Sequence, residues 1–319
     1  MMDEILNIEN LKAYFFTTRG AVKAVDDVSF TIGRKQSLGL AGESACGKST
    51  LAFAILKMLQ NPGRLVGGKM VVTGMDITDF SESKMRKEVR WKKISMVFQG
   101  AMNALNPVYT VGYQMAEPLM YHKGVKKEDA MEKSTDYLEL VGLSPDILTR
   151  YPHELSGGMK QRVVIAMALL LSPDLVICDE PTTALDVVVQ AQIMNLLKRL
   201  KKELEISTIF ITHDLSILAE VVDRLAIMYA GKFVEIGDSI KVYRKPVHPY
   251  TQKLLGAIPK LHEDLERLEY IPGTPPNLIH PPSGCRFHPR CPYAMDICKK
   301  EEPKMKEVDA DHFAACHLL

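Results

Sequence analysis

Leu38-Gly39-Leu40-Ala41-Gly42-Glu43-Ser44-Ala45-Cys46-Gly47-Lys48-Ser49 decides the fold. Residues 38–41 read as a short buried strand, a loop of the form G-x-x-x-x-G-K-S follows, and residues 49–59 read as an amphipathic helix. That order lets backbone N–H groups converge on phosphate oxygens, with the partial positive charge of a helix N-terminus behind them. Lys48 is placed to reach the β- and γ-phosphates, and the Ser49 hydroxyl to take a Mg²⁺ position. Gly42, Ser44, Cys46, Gly47, Lys48, Ser49 and Thr50 form the expected nucleotide-binding set. Cys46 lies inside the loop, so a thiol reagent is expected to block nucleotide entry there and nucleotide to protect the thiol.

Outward from this loop the chain alternates strands and helices. Residues 5–8 and 28–32 read as strands that open a sheet, 94–98 as a further strand, and 175–178 and 208–212 as buried strands separated by a helix over 188–203. Such alternation implies a mostly parallel sheet. Residues from about 100 to 160 carry helical periodicity with polar breaks and read as an insertion. Leu175-Val176-Ile177-Cys178 ends on Asp179 and Glu180. There Asp179 is placed to hold a Mg²⁺ shell and Glu180 to polarise an attacking water as general base. Leu155-Ser156-Gly157-Gly158-Met159-Lys160-Gln161 precedes a helix; Ser156 suits its N-cap, and the two glycines permit close approach to a phosphate.

Forty basic and thirty-nine acidic side chains leave a net charge of +1, without the bulk positive field expected of a nucleic-acid-binding protein. The longest apolar run is 163–171, less than half of what a membrane span needs, and the acidic start Met1-Met2-Asp3-Glu4 lacks a signal-peptide pattern. A cytosolic chain is expected, one that borrows any membrane domain from another polypeptide. Eleven of eighteen prolines fall between Pro246 and Pro303, which predicts an extended, loop-rich tail with few regular elements. Cys285, Cys291, Cys298 and Cys316, spaced x5, x6 and x17, form a candidate [4Fe–4S] site, with Zn²⁺ as the alternative and His288, His312 and His317 as substitute ligands. The long gaps favour the cluster, whose expected role is to order a tail with little core of its own.

The loop, Gln99 after a strand, Leu155-Ser156-Gly157-Gly158, the Asp179-Glu180 pair, Ala184-Leu185-Asp186 and His213 after a strand together resemble the ABC ATPase family over residues 5–240. The tail segments His248-Pro249-Tyr250-Thr251, Gly273-Thr274-Pro275-Pro276 and 285–298 resemble the extension of the oligopeptide and dipeptide importer branch. The resemblance implies an α/β fold: a RecA-like P-loop core (1–99 and 161–240) with an N-terminal antiparallel β layer, a helical signature subdomain (100–160), and an irregular Cys-rich C-terminal extension (241–319) carrying the iron–sulfur site. It assigns Gln99 to Mg²⁺ and water, with Ser49 and Asp179 completing the metal's ligands. Ser156, Gly157 and Gly158 go to the γ-phosphate across a head-to-tail dimer, Asp186 to cross-dimer communication, and His213 to the γ-phosphate. An aromatic near the N-terminus is to stack on adenine. Tyr14, Phe15 and Phe16 are candidates, and alternation with Leu11 and Ala13 selects Phe15.

ATP and Mg²⁺ are then the cofactors, with hydrolysis of ATP coupled to peptide import at the cytoplasmic face of the cell membrane, where the chain sits peripherally. Implied partners are two transmembrane permease subunits, a second ATPase subunit (a different chain, or a second copy) and, indirectly, an extracytoplasmic solute-binding protein, with no nucleic acid. Import of oligosaccharides or nickel by the same ATPase type, or a soluble ABC ATPase outside transport, are the alternatives.

Overall fold

The computed structural model describes residues 4–100, 103–257 and 271–319. Two sheets organise them. One is antiparallel, in the order β2-β1-β4-β5, with β1 Glu4–Thr17, β2 Gly20–Gly33, β4 Gly63–Val72 and β5 Met75–Asp76. The other has eight strands, in the order β11-β12-β10-β9-β3-β8-β7-β6. Its parallel half is β9 (Arg224–Tyr229), β3 (Ser37–Ala41), β8 (Ser207–Ile211), β7 (Leu175–Asp179) and β6 (Ile94–Val97). The antiparallel half is β10 (Lys232–Asp238), β12 (His312–Ala314) and β11 (Lys306–Asp309).

Strands β3, β7 and β8 are buried along their whole length, which is why they read in sequence as continuous apolar runs and not as alternating ones. Their register matters for function. Leu40 pairs with Ile211, Ile211 with Asp179, and Cys178 with Val97, so the four parallel strands β3, β8, β7 and β6 end together. The segments that follow them begin at Gly42, Thr212, Glu180 and Phe98. One edge of the sheet therefore gathers the phosphate loop, His213, Glu180 and Gln99, at the carboxyl ends of parallel strands where ligands of open α/β sheets bind.

Three differences from the sequence reading have identifiable causes. The first helix, Lys48–Ile55, stops four residues early, because Lys57 takes a left-handed φ of 51°. Strand β4 went unread: glycines at 63, 67 and 68 mask its alternation, and its partner β1 lies some sixty residues away. The tail is more regular than its prolines predicted. It contributes the helix Asp296–Lys300 and the strands β11 and β12, and β12 extends the core sheet by pairing with β10. Residues 103–160 do carry helices, Val111–Lys123 and Lys127–Leu140, with no strand among the described residues there.

Candidate nucleotide-binding and catalytic site

The phosphate loop is held by its glycines and its lysine. Gly42 and Gly47 sit at φ of 148° and 115°, and a Cβ on either would lie 2.1 Å from a carbonyl oxygen, that of Met228 or Ala24. Only glycine lets the loop pass this close to both strands. The Lys48 ammonium lies within the curl of the loop, donating to the carbonyl oxygens of Gly42 at 2.7 Å and Glu43 at 3.1 Å. Gly231 donates its N–H to the Cys46 carbonyl at 2.8 Å, which ties the loop to the β9–β10 turn.

Beside the lysine stand the acids. The Ser49 hydroxyl donates to Asp179 Oδ1 at 3.1 Å. Burial pushes the Asp179 carboxyl up, and the neighbouring Glu180 charge adds to it, against the opposing pull of Ser49 and Lys48. Glu180 has a left-handed φ of 45°, unusual for a residue with a Cβ, and its N–H is anchored on the Ile211 carbonyl at 2.8 Å. Three side chains meet its carboxylate. Gln99 Nε2 donates at 3.1 Å and the Thr183 hydroxyl at 2.8 Å to Oε2, while His213 Nδ1 lies 3.3 Å from Oε1. Thr183 was not singled out in the sequence reading.

A cavity of about 640 Å³ joins these groups. Ser44, Gly47, Lys48, Ser49, Thr50, Gln99, Glu180 and His213 line its polar part; Phe15, Val22 and Ala24 line its apolar part. Of the three candidate aromatics, Phe15 faces this cavity. Tyr14 instead donates its hydroxyl to Asp26 Oδ1 at 2.5 Å, and Phe16 is half exposed. Sequence reading missed a further part of the lining: Pro275, Pro276 and Leu278 belong to the tail.

Ser156, Gly157, Gly158 and Asp186 do not line this cavity. Each serves a helix start. The Ser156 hydroxyl accepts from Met159 N–H at 3.3 Å to cap Gly157–Leu169, and Asp186 Oδ1 accepts from Val189 N–H at 2.9 Å to cap Val187–Glu203. The two helix starts meet, since a Cβ on Gly158 would lie 2.9 Å from a Val189 methyl.

Residues 25–183 match the family described as ABC transporter, and residues 234–298 match the C-terminal region of oligopeptide/dipeptide transporters. The dipeptide transport ATP-binding protein DppD of Caldanaerobacter subterraneus is 44% identical over 99% of this chain and 98% of its own length. The oligopeptide transport ATP-binding protein OppD of Escherichia coli is 46% identical over 98% of this chain and 93% of its own length.

This chain belongs to the ABC transporter family. Within it, the chain is an ATP-binding ATPase subunit with the family's RecA-like core and antiparallel β layer. Among solved structures, the ATP-binding cassette MJ0796, a dimer bound to ADP and Pi in a post-hydrolysis state, superposes with a TM-score of 0.66 at 25% identity, covering 73% of this chain and 98% of that one. The protein cbiO1 of Clostridium perfringens, part of an ABC transporter complex, gives 0.66 at 27% identity, covering 76% and 92%. No helix among the described residues of this ABC subunit is long and apolar enough to cross a membrane.

The iron–sulfur assignment is corrected. Among the described residues no group of three or more His, Cys, Asp or Glu side chains is placed to hold a metal ion, so neither the [4Fe–4S] cluster nor the zinc alternative at Cys285, Cys291, Cys298 and Cys316 is supported. All four are free thiols. Burial pushes the thiols of Cys285, Cys291 and Cys316 up, with neighbouring cysteines adding to the shift. The substitute histidines are engaged elsewhere: His312 Nε2 lies 2.7 Å from Glu235 Oε1, His288 Nδ1 2.9 Å from the Cys285 carbonyl, and His317 Nε2 2.9 Å from the Glu301 carbonyl. The expectation assumed a tail too poor in core to order itself. The tail instead borrows the core's: Phe287 is fully buried against Tyr229 and Tyr250, β12 joins the main sheet, and Arg286 pairs with buried Asp26.

Cys46 also differs from expectation. It is 4% exposed and is not among the residues that line the cavity, and burial pushes its thiol up despite the nearby Lys48. Alkylation of the native protein near neutral pH is expected to label Cys46 far more slowly than in urea, with or without Mg-ATP, as read by mass spectrometry of the loop peptide. Rapid native labelling that ATP suppresses would restore the accessible-thiol reading.

Proposed function

We propose that this ATPase subunit energises import of dipeptides or oligopeptides through a pair of membrane permease subunits, as a peripheral subunit on the cytoplasmic side. The support for the cargo class is the extent of similarity: relatives named for dipeptide and oligopeptide transport align over nearly the whole chain, tail included. Residues 1–99 with 161–240 act as the catalytic core, 100–160 as the signature subdomain, and 241–319 as the extension.

In this reading the loop amides of residues 42–50 and the Lys48 ammonium bind the triphosphate, and Phe15 packs on the base. Ser49, Asp179 and Gln99 offer oxygen donors beside the loop, a set that suits a hard cation such as Mg²⁺, which would neutralise charge on the β- and γ-phosphates. Glu180 accepts a proton from the attacking water. Gln99, Thr183 and His213 hold its carboxylate in place, and His213 also faces the γ-phosphate. Ser156, Gly157, Gly158 and Asp186 act across a head-to-tail pair of ATPase subunits, completing the site of a partner copy or a second chain. Their position outside this chain's own cavity supports that role. Closure of the pair on ATP and its opening after hydrolysis drive the permease subunits, which receive cargo from an extracytoplasmic binding protein.

Reconstitution tests the cargo class. In proteoliposomes with its permease pair and binding protein, ATP turnover by this chain is expected to rise several-fold when the binding protein carries a dipeptide or oligopeptide. Stimulation by an oligosaccharide or by nickel, with peptides inert, would overturn it.

A further inference from the structure

Two features of the extension converge on the nucleotide cavity. The first is the segment Pro275-Pro276, which shares the lining with Phe15, Val22 and Ala24; it is fastened to β2 by the Lys23 N–H, donated to the Leu278 carbonyl at 3.0 Å. Two successive prolines have a fixed φ and no N–H, so this lining is stiff and apolar. The second is Arg290, 8% exposed. Its Nη1 and Nη2 donate to the two oxygens of Glu43, the second residue of the phosphate loop, at 2.7 and 2.9 Å. Its Nε donates to the Pro272 carbonyl at 2.7 Å, three residues before the proline pair, and Nη1 also reaches the Tyr229 hydroxyl at 3.3 Å. The Glu43 backbone N–H is spent on another extension residue, donating to the Tyr250 hydroxyl at 2.9 Å. One buried guanidinium thus ties the loop that cradles phosphate to the segment that walls the apolar part of the same cavity.

We propose that the extension is a working part of the nucleotide site: Pro275 and Pro276 form a wall for the base, and Arg290 is a positioning residue that sets the phosphate loop through Glu43. The inference rests on the reading that this cavity takes ATP. The bidentate arrangement is specific to a guanidinium, because an ammonium cannot donate along two parallel directions to one carboxylate. The proline wall meets the base and has nothing to offer the phosphates, whereas the arginine acts on the phosphate loop. The two parts should therefore separate when the ligand lacks a base.

The test is an equilibrium titration of the 319-residue chain with Mg-ATP and, separately, with Mg-tripolyphosphate. The pair Pro275→Ala with Pro276→Ala is expected to weaken ATP about threefold to tenfold and leave tripolyphosphate unchanged. Arg290→Ala is expected to weaken both ligands about tenfold, the loss of a charge-assisted bidentate contact, with Arg290→Lys recovering part of it. A purely structural role would lower the melting temperature and leave both affinities of the folded protein at the wild-type value. Should Arg290→Ala fail to fold, Arg290→Lys and the proline pair carry the test unchanged. Wild-type affinity for both ligands in the variants that fold overturns the proposal, provided the wild type itself binds ATP. A wild type that binds neither ligand overturns instead the reading of the cavity on which it stands.

Discussion

Glu180→Gln is expected to lower steady-state ATP turnover by roughly two to four orders of magnitude, the usual worth of a positioned general base, while Mg-ATP affinity changes little. The substitution removes the basic oxygen pair and preserves the shape of the site. Gln99 Nε2 and the Thr183 hydroxyl both donate to Oε2, so the new amide oxygen takes that place. The amide nitrogen then falls where Oε1 now faces His213 Nδ1, an atom able to accept from it in one tautomer. The backbone at this position, with its left-handed φ and its N–H on the Ile211 carbonyl, is untouched. Binding without turnover should let ATP-closed pairs of ATPase subunits accumulate, visible by size exclusion in Mg-ATP. Steady-state turnover equal to the wild type's would remove Glu180 from the role of base.

Lys48→Ala acts on the other half of the reaction and is expected to raise the Kd for Mg-ATP by about a hundredfold, which corresponds to the net loss of about one charge-assisted hydrogen bond to phosphate at roughly 1.5–3 kcal/mol. Lys48 is 8% exposed, and its ammonium donates to two loop carbonyls at 2.7 and 3.1 Å. Alanine leaves those carbonyls without that donor, so part of the loss comes through a looser loop. Lys48→Arg separates the two contributions, because it keeps the charge but is too large to sit within the curl of the loop. Calorimetric titration with Mg-ATP reads both variants. Wild-type affinity in Lys48→Ala would show that the loop amides alone bind the triphosphate.

Legibility followed distance along the chain. The loop Gly42–Ser49 is recognised from its own residues and the strand and helix beside it, because the spacing of its glycines, lysine and serine is a local pattern. Asp179 and Glu180 stood out because a fully buried strand ends on two charges. Phe15 followed from alternation along β1, although the strand is irregular between Leu11 and Phe15. Thr183 was missed because a threonine three residues past an acid carries no signal of its own until the chain turns it onto Glu180 Oε2. The four tail cysteines misled for the converse reason: their spacing suggested a shared ion, but spacing does not say whether folding places thiols at the distances one ion requires.

The family, the P-loop and its acids, the helical insertion and the near balance of charge were legible in the amino-acid sequence, because all of these reside in local pattern and composition. The relation of the extension to the nucleotide site came from long-range contacts alone. Arg290 meets Glu43 across 247 positions and Arg286 meets Asp26 across 260. A single sequence holds no trace of such pairs, because each partner alone is an ordinary surface charge. Folding brings Phe287 and β12 into the core and thereby buries the two arginines beside the carboxylates they need. A charge that enters the interior must find its opposite there. That requirement, not any motif, places the tail against the phosphate loop.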